Sequence, residues 1–190
     1  MKGTCGDSIM GNKLNYWHDI PTAEKDIEDS AYAIIEIPQG SSCKFEYDKE
    51  YGIIRLDRVL FTSTHYPANY GFIPRTLASD DDPLDILVFC KEKMEPGVLM
   101  RARILGVAIM VDGADLDEKI IAVSADDPSY KGVDSVDKLA PHLVDEMAHF
   151  FDVYKELEGK KTKVLKVKGR KEALEVIRKC VEEYNKKYRN

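Results

Sequence analysis

Motifs built from cysteine or histidine are missing from this sequence. The cysteines form no C-x-x-C pair and are scattered along the chain, at Cys5, Cys43, Cys90 and Cys180. This spacing excludes a recognisable zinc motif or thioredoxin-type motif, and it does not resemble a disulfide framework. The histidines contain no H-E-x-x-H pattern. Scattered thiols of this kind are typical of a protein in a reducing compartment.

Long apolar runs are missing as well. No run approaches the roughly 18 residues that a membrane span needs. Residues 1–17 lack the apolar segment that forms the centre of a signal peptide. We therefore expect a cytoplasmic protein with no membrane partner.

Positive charge is in deficit. The chain has 190 residues, of which 44% are apolar and 33% charged, and its net charge is −6 at pH 7. This length is sufficient for one domain with a sizeable hydrophobic core. The net negative charge disfavours a general binder of nucleic acid or of anionic membranes, so we expect no nucleic-acid partner.

The most informative stretch is SDDDPLDILVF, residues 79–89, which places four aspartates before an apolar run. Because burying uncompensated carboxylates is costly, such a cluster is solvated, paired with cations or arranged around a metal. Pro83 favours an extended geometry at the preceding residue. Asp80 and Asp82 would then point to the same side, with Asp85 at the mouth of the following strand. An ordinary acidic turn before a strand is the alternative interpretation.

A second acidic segment, DGADLDEK, contains Asp112, Asp115 and Asp117 and follows a long β-rich run. If the two segments lie side by side, their carboxylates need divalent cations, and ligands made only of oxygen favour magnesium. Neither segment matches the loop pattern of a calcium EF-hand. An aspartyl phosphatase of the D-x-D-x-[TV] type is disfavoured because Leu84 stands where Thr or Val is required.

The remaining periodicity predicts several short strands followed by two amphipathic helices. The predicted strands are 31–38, 43–48, 53–61, 85–90, 98–111 (one bent strand or two), 120–124 and 162–167. The predicted helices are 135–158 and 170–188. Between the third and fourth strands, the stretch THYPANYGFIPRTL has turn chemistry that rules out a regular helix.

This order of elements predicts an α+β fold, a small closed OB-like β-barrel with two flanking C-terminal helices. Residues 1–29 are polar with little periodicity, and we interpret them as an N-terminal arm. Trp17 within that arm is expected to pack onto the body of the protein, because large aromatic side chains dominate local burial. Residues 30–190 would form the folded domain.

Basic and hydroxyl side chains occur at strand and helix edges near the acids. Each such cation is, taken alone, most often a solvated surface residue. Carboxylates with metals on one side and Lys, Arg and Tyr on the other are nevertheless what a polyphosphate anion requires. The residues concerned are Lys44, Glu46, Arg58, Tyr66, Tyr70, Lys119, Tyr154 and Lys155.

The sequence resembles the family I soluble inorganic pyrophosphatases. Residues 80–86, DDDPLDI, satisfy the family signature D-[SGDN]-D-[PE]-[LIVMF]-D-[LIVMGAC] at every position, and this motif is highly specific. The match continues through IEIP around Glu36, KFEYD around Lys44, LDR ending in Arg58, YPANYGF, and HFFDVYK ending in Lys155. It covers roughly residues 30 to 160.

The resemblance implies hydrolysis of inorganic pyrophosphate to two orthophosphates, with about three to four Mg²⁺ ions per active site. It implies that a hydroxide shared between magnesium ions attacks directly, and that Asp82 is the general base. Asp80, Asp85 and Asp117 would hold the two ions that share the hydroxide. Asp112 and Asp117 would carry a further ion, and Glu36 would help to hold a fourth. A phosphoenzyme is not expected because the sequence has no nucleophilic Ser, Cys or His arrangement.

The same resemblance implies which residues contact the substrate. Lys44, Arg58, Tyr154 and Lys155 would bind one phosphoryl group, whereas Tyr70 and Lys119 would bind the other. Tyr66 and Glu46 would line the cavity. The resemblance also implies a homo-oligomer, with a hexamer favoured, built partly through the helix that bears His149.

A different class of function is the alternative. An OB-like barrel can be a module that only binds metal, nucleotide or nucleic acid. The net acidity and the acids in the loops disfavour binding to a nucleic-acid strand.

Overall fold

The computed structural model describes residues 14–189, so residues 1–13 of the predicted arm, including Cys5, lie outside the described residues. Eight strands and two α-helices form within this part of the chain. The strands are β1 (Ala31–Ile37), β2 (Cys43–Asp48), β3 (Ile53–Val59), β4 (Asn69–Phe72), β5 (Asp85–Phe89), β6 (Leu99–Asp112), β7 (Asp115–Ser124) and β8 (Thr162–Gly169). The helices are α1 (Pro141–Val153) and α2 (Arg170–Tyr188). The coarse α+β class predicted from the sequence is confirmed.

Six of the strands form one mixed sheet in the order β1-β4-β5-β7-β6-β8, and β1 also pairs with β6. The pairing of β5 with β7 is parallel, whereas β1, β4, β6 and β8 pair with their neighbours in antiparallel fashion. The path β1-β4-β5-β7-β6 therefore returns to β1. Strands β2 and β3 form a separate two-stranded hairpin.

The register of the parallel pair decides which charged residues meet. Asp85, the first residue of β5, lies opposite Lys119 of β7. On the other side of β7, the antiparallel hairpin with β6 places Asp112 opposite Asp115 and Met110 opposite Asp117. The two acidic segments of the sequence therefore lie at the same end of neighbouring strands.

Both faces of the sheet are covered by apolar side chains. One cluster contains Ile86 and Ile120 of the sheet together with Leu174 and Ile177 of α2. A second cluster contains sheet residues together with Met147, Phe150 and Phe151 of α1. Trp17 belongs to a third cluster and is only 3% exposed, so its predicted packing onto the body is confirmed. None of the described helices is long and apolar enough to cross a membrane.

Helix α1 is shorter than its apolar periodicity predicts. The sequence predicts a helix over 135–158, but the α-helix spans Pro141–Val153. Pro141 occupies the first turn, where its missing N–H costs nothing, and a proline there sets the helix start. The predicted ends are instead short 3₁₀ turns, Val136–Lys138 and Glu156–Glu158, which continue the apolar spacing without α-helical hydrogen bonds.

Two β-strand predictions need correction. Strand β4 was not predicted, because its four residues include a glycine and lie among prolines. Strand β7 begins at Asp115 rather than at residue 120, because its first residues pair with the end of β6 across a tight turn at Gly113. Hydrogen bonding in this hairpin outweighs the low β-propensity of its aspartates.

Because Gly71 has no side chain, the backbone of β4 can lie close to the backbone of β1. A substitution at Gly71 therefore tests the fold. A Cβ atom at Gly71 would lie 1.8 Å from the carbonyl oxygen of Ile34, and backbone atoms cannot move aside cheaply. We expect Gly71→Ala to lower the free energy of unfolding by about 3 kcal/mol. The corresponding fall in Tm, measured by circular dichroism, is about 6–12 °C.

Gly169→Ala is the matched control, since the nearest atom to its added Cβ would be Oε2 of Glu172 at 3.6 Å. Equal Tm values for the two variants would contradict the close approach of β4 to β1.

Candidate active site

Nearly all the site residues predicted from the sequence line one cavity of about 350 Å³. Strands β1 to β7 all contribute to its lining, together with the acidic loop (residues 78–84) and the end of α1. The predicted residues that line it are Glu36, Lys44, Glu46, Tyr66, Tyr70, Asp80, Asp82, Asp85, Asp112, Asp117, Lys119, Tyr154 and Lys155.

Arg58 is the predicted site residue that does not line the cavity. It lies opposite Lys44 in the β2–β3 hairpin, directly beside the cavity wall. Its Nε donates to Oε1 of Glu158 at 2.9 Å, and its Nη1 donates to Oδ2 of Asp57 at 2.5 Å. Its Nη2 is buried without a hydrogen-bond partner. The guanidinium is therefore oriented by two carboxylates, and its Nη2 amino group is left unused.

The acidic loop is held at its base by the buried side chain of Thr76. The hydroxyl of Thr76 accepts a hydrogen bond from the amide of Leu84 at 2.8 Å and donates to the carbonyl oxygen of Ile73 at 2.6 Å. The bond with Leu84 joins the last residue of the loop to the segment that precedes the loop, and the bond with Ile73 fixes the Thr76 side chain. A backbone bond from Ala78 to the carbonyl oxygen of Asp82 closes the turn within the loop.

Within the loop, Asp80 and Asp82 both line the cavity, as the sequence analysis predicts. The local geometry differs from that prediction, because the segment is a turn and not an extended strand. Asp81 adopts a positive φ of 66°, and its carboxylate is exposed, where it forms an ion pair with Lys187 at 2.6 Å. The amide of Asp82 donates to Oδ1 of Asp80 at 3.1 Å. Because of this turn, Asp80 and Asp82 face the cavity and Asp81 does not.

Lys119 is the cation around which the carboxylates are arranged. It is 3% exposed, and its Nζ lies 2.6 Å from Oδ2 of Asp85 and 2.9 Å from Oδ2 of Asp117. It also donates to the hydroxyl of Tyr70 at 3.0 Å. Burial alone would lower the pKa of Lys119, but the two aspartates raise it well above its usual range. The ammonium therefore stays charged at neutral pH and links β5, β7 and β4.

Two carboxyl groups in the cavity have raised pKa values. Burial, with added repulsion from Asp85 and Glu46, raises the pKa of Glu36 to about 8, although the amide of Tyr47 donates to it at 2.7 Å. Burial and repulsion from Asp82, Asp85 and Asp117 also raise the pKa of Asp80. Because both shifts disfavour the ionised form, added positive charge in the cavity would lower the free energy of this cluster.

Other lysines are paired with the remaining acids of the cavity. Lys155 forms an ion pair with Asp112, Lys44 with Glu46, and Lys49 with Asp82. Of these, Lys49 was missed by the sequence analysis, as were the lining residues Tyr47, Asp48 and Arg55. Their only signal in the sequence is that they lie in or between the predicted strands 43–48 and 53–61, and this does not reveal which part of the molecule they face.

The lining residues have the chemistry of a site for hard divalent cations. Within residues 14–189, no three Asp, Glu, His or Cys side chains form a group tight enough to hold a metal ion by themselves. Lysine ammoniums lie against the carboxylates that would have to turn toward an ion. The donors nevertheless consist only of carboxylates, and the raised pKa values of Glu36 and Asp80 favour added positive charge, so the residues fit magnesium.

Comparisons with known proteins agree with this combination of fold and cavity. The family model for inorganic pyrophosphatase matches residues 33–185. A curated inorganic pyrophosphatase of Halalkalibacterium halodurans is 49% identical over 152 residues, which are 80% of this chain and 93% of the relative. That of Aquifex pyrophilus is 46% identical over 173 residues, which are 90% of this chain and 97% of the relative.

Solved structures give the same result. The crystal structure of inorganic pyrophosphatase from Thermus thermophilus superposes with a TM-score of 0.87 at 39% identity, covering 90% of this chain and 99% of the other. The enzyme from Helicobacter pylori gives a TM-score of 0.81 at 42% identity, covering 83% of this chain and 95% of the other. The fold and the cavity are therefore those of a phosphoanhydride hydrolase. The chain belongs to the family I soluble inorganic pyrophosphatases, which confirms the family and the enzyme class predicted from the signature.

Removing the Lys119 ammonium tests how the carboxylates are held. We expect Lys119→Met to lower the free energy of unfolding in metal-free buffer by about 3 kcal/mol, because Asp85 and Asp117 lose the cation they share. Added Mg²⁺ should stabilise the variant more than the wild type, since it replaces the lost charge. Chemical denaturation with and without Mg²⁺ measures both effects.

The matched control is Lys138→Met, which removes an exposed ion pair with Asp134. A similar loss of stability in both variants would mean that Lys119 does not hold the cavity together.

Proposed function

We propose that this protein hydrolyses inorganic pyrophosphate to two orthophosphates in a magnesium-dependent reaction. The observation that carries the proposal is the cavity itself, in which two acidic segments face lysines and tyrosines. Pyrophosphate is a small and highly charged anion, so it needs cations on all sides and has no apolar surface to bury. Family membership supports the same substrate, because the curated relatives are named inorganic pyrophosphatases.

The carboxylates would hold about three to four Mg²⁺ ions. Asp80, Asp85 and Asp117 would hold two of them, Asp112 and Asp117 a further one, and Glu36 would help to hold a fourth. All of these side chains line the cavity. Bound magnesium would supply two effects, a lowered pKa of a water molecule that two ions share and neutralisation of charge on the phosphate oxygens.

The basic side of the cavity would bind the substrate. Lys44, Arg58, Tyr154 and Lys155 would contact one phosphoryl group, and the unused Nη2 donor of Arg58 supports its inclusion. Lys119 and Tyr70 would contact the other, with Glu46 and Tyr66 lining the space between. Burial raises the pKa of all three tyrosines, so each keeps its hydroxyl proton at neutral pH and can donate to a phosphate oxygen.

Asp82 would act as the general base on the attacking water. Its carboxylate is 56% exposed, the most accessible of the cavity aspartates in ion pairs with lysine, and is therefore reachable by water. Attack by water without a phosphoenzyme is supported by the lining of the cavity, because none of its described residues is Ser, Cys or His. The developing charge on the leaving phosphate would be stabilised by the lysines already positioned around it.

Several wider predictions accompany this function. We propose that the ring of pairings from β1 back to β1 closes a small OB-like barrel, with α1 and α2 flanking it. The boundaries 1–29 and 30–190 for the arm and the domain stay predictions. So does a homo-oligomer, with a hexamer favoured, for which the exposed His149 on α1 is a candidate contact. A cytoplasmic location is supported by the free Cys43, Cys90 and Cys180.

Phosphate release is the experiment that tests the proposed function. We expect the protein with Mg²⁺ to release orthophosphate from pyrophosphate, and to act on a simple phosphate monoester at least about 100-fold more slowly. The reason is that a monoester offers only one phosphoryl group to a cavity with two basic ends. A colorimetric phosphate assay on both substrates, with and without a chelator, measures this.

Equal turnover of the two substrates would contradict the proposal. Binding of a nucleotide or metal without any phosphate release would instead favour the alternative, a barrel module that only binds.

A further inference from the structure

Lys49 lines the cavity but has no role in the proposed reaction so far. It lies in the turn that joins β2 and β3, and Asp48 fixes the backbone of this turn. Oδ1 of Asp48 accepts hydrogen bonds from the amides of Glu50 at 3.0 Å and Tyr51 at 2.8 Å. The carbonyl oxygen of Asp48 accepts another from Gly52 at 2.7 Å. The side chain of Lys49 therefore projects from a defined backbone.

The ammonium of Lys49 bridges this hairpin to the acidic loop. Its Nζ forms an ion pair with Oδ1 of Asp82 and lies 3.3 Å from the carbonyl oxygen of Asp81. The hairpin and the loop are far apart in sequence and belong to different parts of the fold. Lys49 thus provides a direct contact between the turn and the carboxylate that we propose as the general base.

Trp17 supports the same ammonium from another side. The Nζ of Lys49 lies 4.9 Å from the ring centroid of Trp17, which is the geometry of a cation–π interaction. The buried indole is itself fixed, because its Nε1 donates to the carbonyl oxygen of Thr76 at 2.8 Å. Since Thr76 also accepts a hydrogen bond from Leu84, the last residue of the acidic loop, Trp17 keeps Lys49 in register with that loop.

We propose that Lys49 is a positioning residue that orients the carboxylate of Asp82 toward the cavity. This inference rests on the proposed function, in which Asp82 takes a proton from the attacking water. An exposed ion pair contributes little to stability. Its effect on turnover can be larger, because a small misplacement of a base slows proton transfer strongly.

The chain offers a matched comparison on the same loop. Lys187 of α2 forms an ion pair with Asp81, whose carboxylate points away from the cavity. Both lysines are about equally exposed, with 44% of the Lys187 side chain and 45% of the Lys49 side chain accessible. A general effect of removing a cation from the acidic loop would therefore appear in both variants, whereas positioning of Asp82 would appear only for Lys49.

A double-mutant cycle tests the proposal. Lys49→Met should lower kcat for pyrophosphate by about 5- to 20-fold with KM changed less than about twofold, and Lys49→Arg should restore most of the activity. Lys187→Met should leave kcat unchanged. In an Asp82→Asn background, Lys49→Met should have no further effect, because the group that it positions is already gone. Thermal unfolding of each variant verifies that all of them are folded.

Three outcomes would overturn the role of Lys49: an unchanged kcat in Lys49→Met, a raised KM at constant kcat, or a full 5- to 20-fold further loss in the Asp82→Asn background. The raised KM would mean that Lys49 binds the substrate directly. Failure of the proposed function is distinguishable, since it appears as full activity of Asp82→Asn alone or as no phosphate release by the wild type. Either of these results would refute Asp82 as the base and this proposal with it.

Discussion

The structure of the site depends on one buried ammonium group. Lys119 contacts Asp85 of β5, Asp117 of β7 and Tyr70 of β4, and it is almost inaccessible to solvent. Parallel pairing of β5 with β7 places Lys119 directly opposite Asp85, so the contact follows from the sheet register. Without this cation, two carboxylates would be held close together with too little solvent to stabilise them.

The same principle extends around the cavity. Lys155 compensates Asp112, Lys44 compensates Glu46 and Lys49 compensates Asp82, whereas Glu36 and Asp80 are left with raised pKa values. The cavity therefore contains more carboxylates than basic side chains. Under the proposed function, Mg²⁺ would bind the ligand carboxylates such as Asp112, and Lys155 would then be released to contact the substrate, whereas Lys49 would stay paired with Asp82.

The sequence predicts the acidic residues of this site better than the strands and long-range contacts around them. The signature around Asp80, Asp82 and Asp85 is local, so spacing alone identifies it, and all three residues line the cavity. Strand β4 was not predicted, because four residues with a glycine carry too little periodicity. The roles of Lys49 and of Glu158 beside Arg58 depend on contacts across 33 and 100 positions of the chain. Such pairings depend on tertiary packing, so they cannot be predicted from a local sequence pattern.

The central claim is that the cavity carboxylates divide into metal ligands and one base. Calorimetric titration of Mg²⁺ into the wild type, Asp117→Asn and Asp82→Asn tests it most directly. Asp117→Asn removes negative charge between two proposed ion sites, so the account predicts a clear loss of Mg²⁺ affinity, at least about tenfold. Asp82→Asn should bind Mg²⁺ within about threefold of the wild type, because a base on the attacking water is not a ligand. The reverse result, weakened affinity in Asp82→Asn and wild-type affinity in Asp117→Asn, would contradict this account.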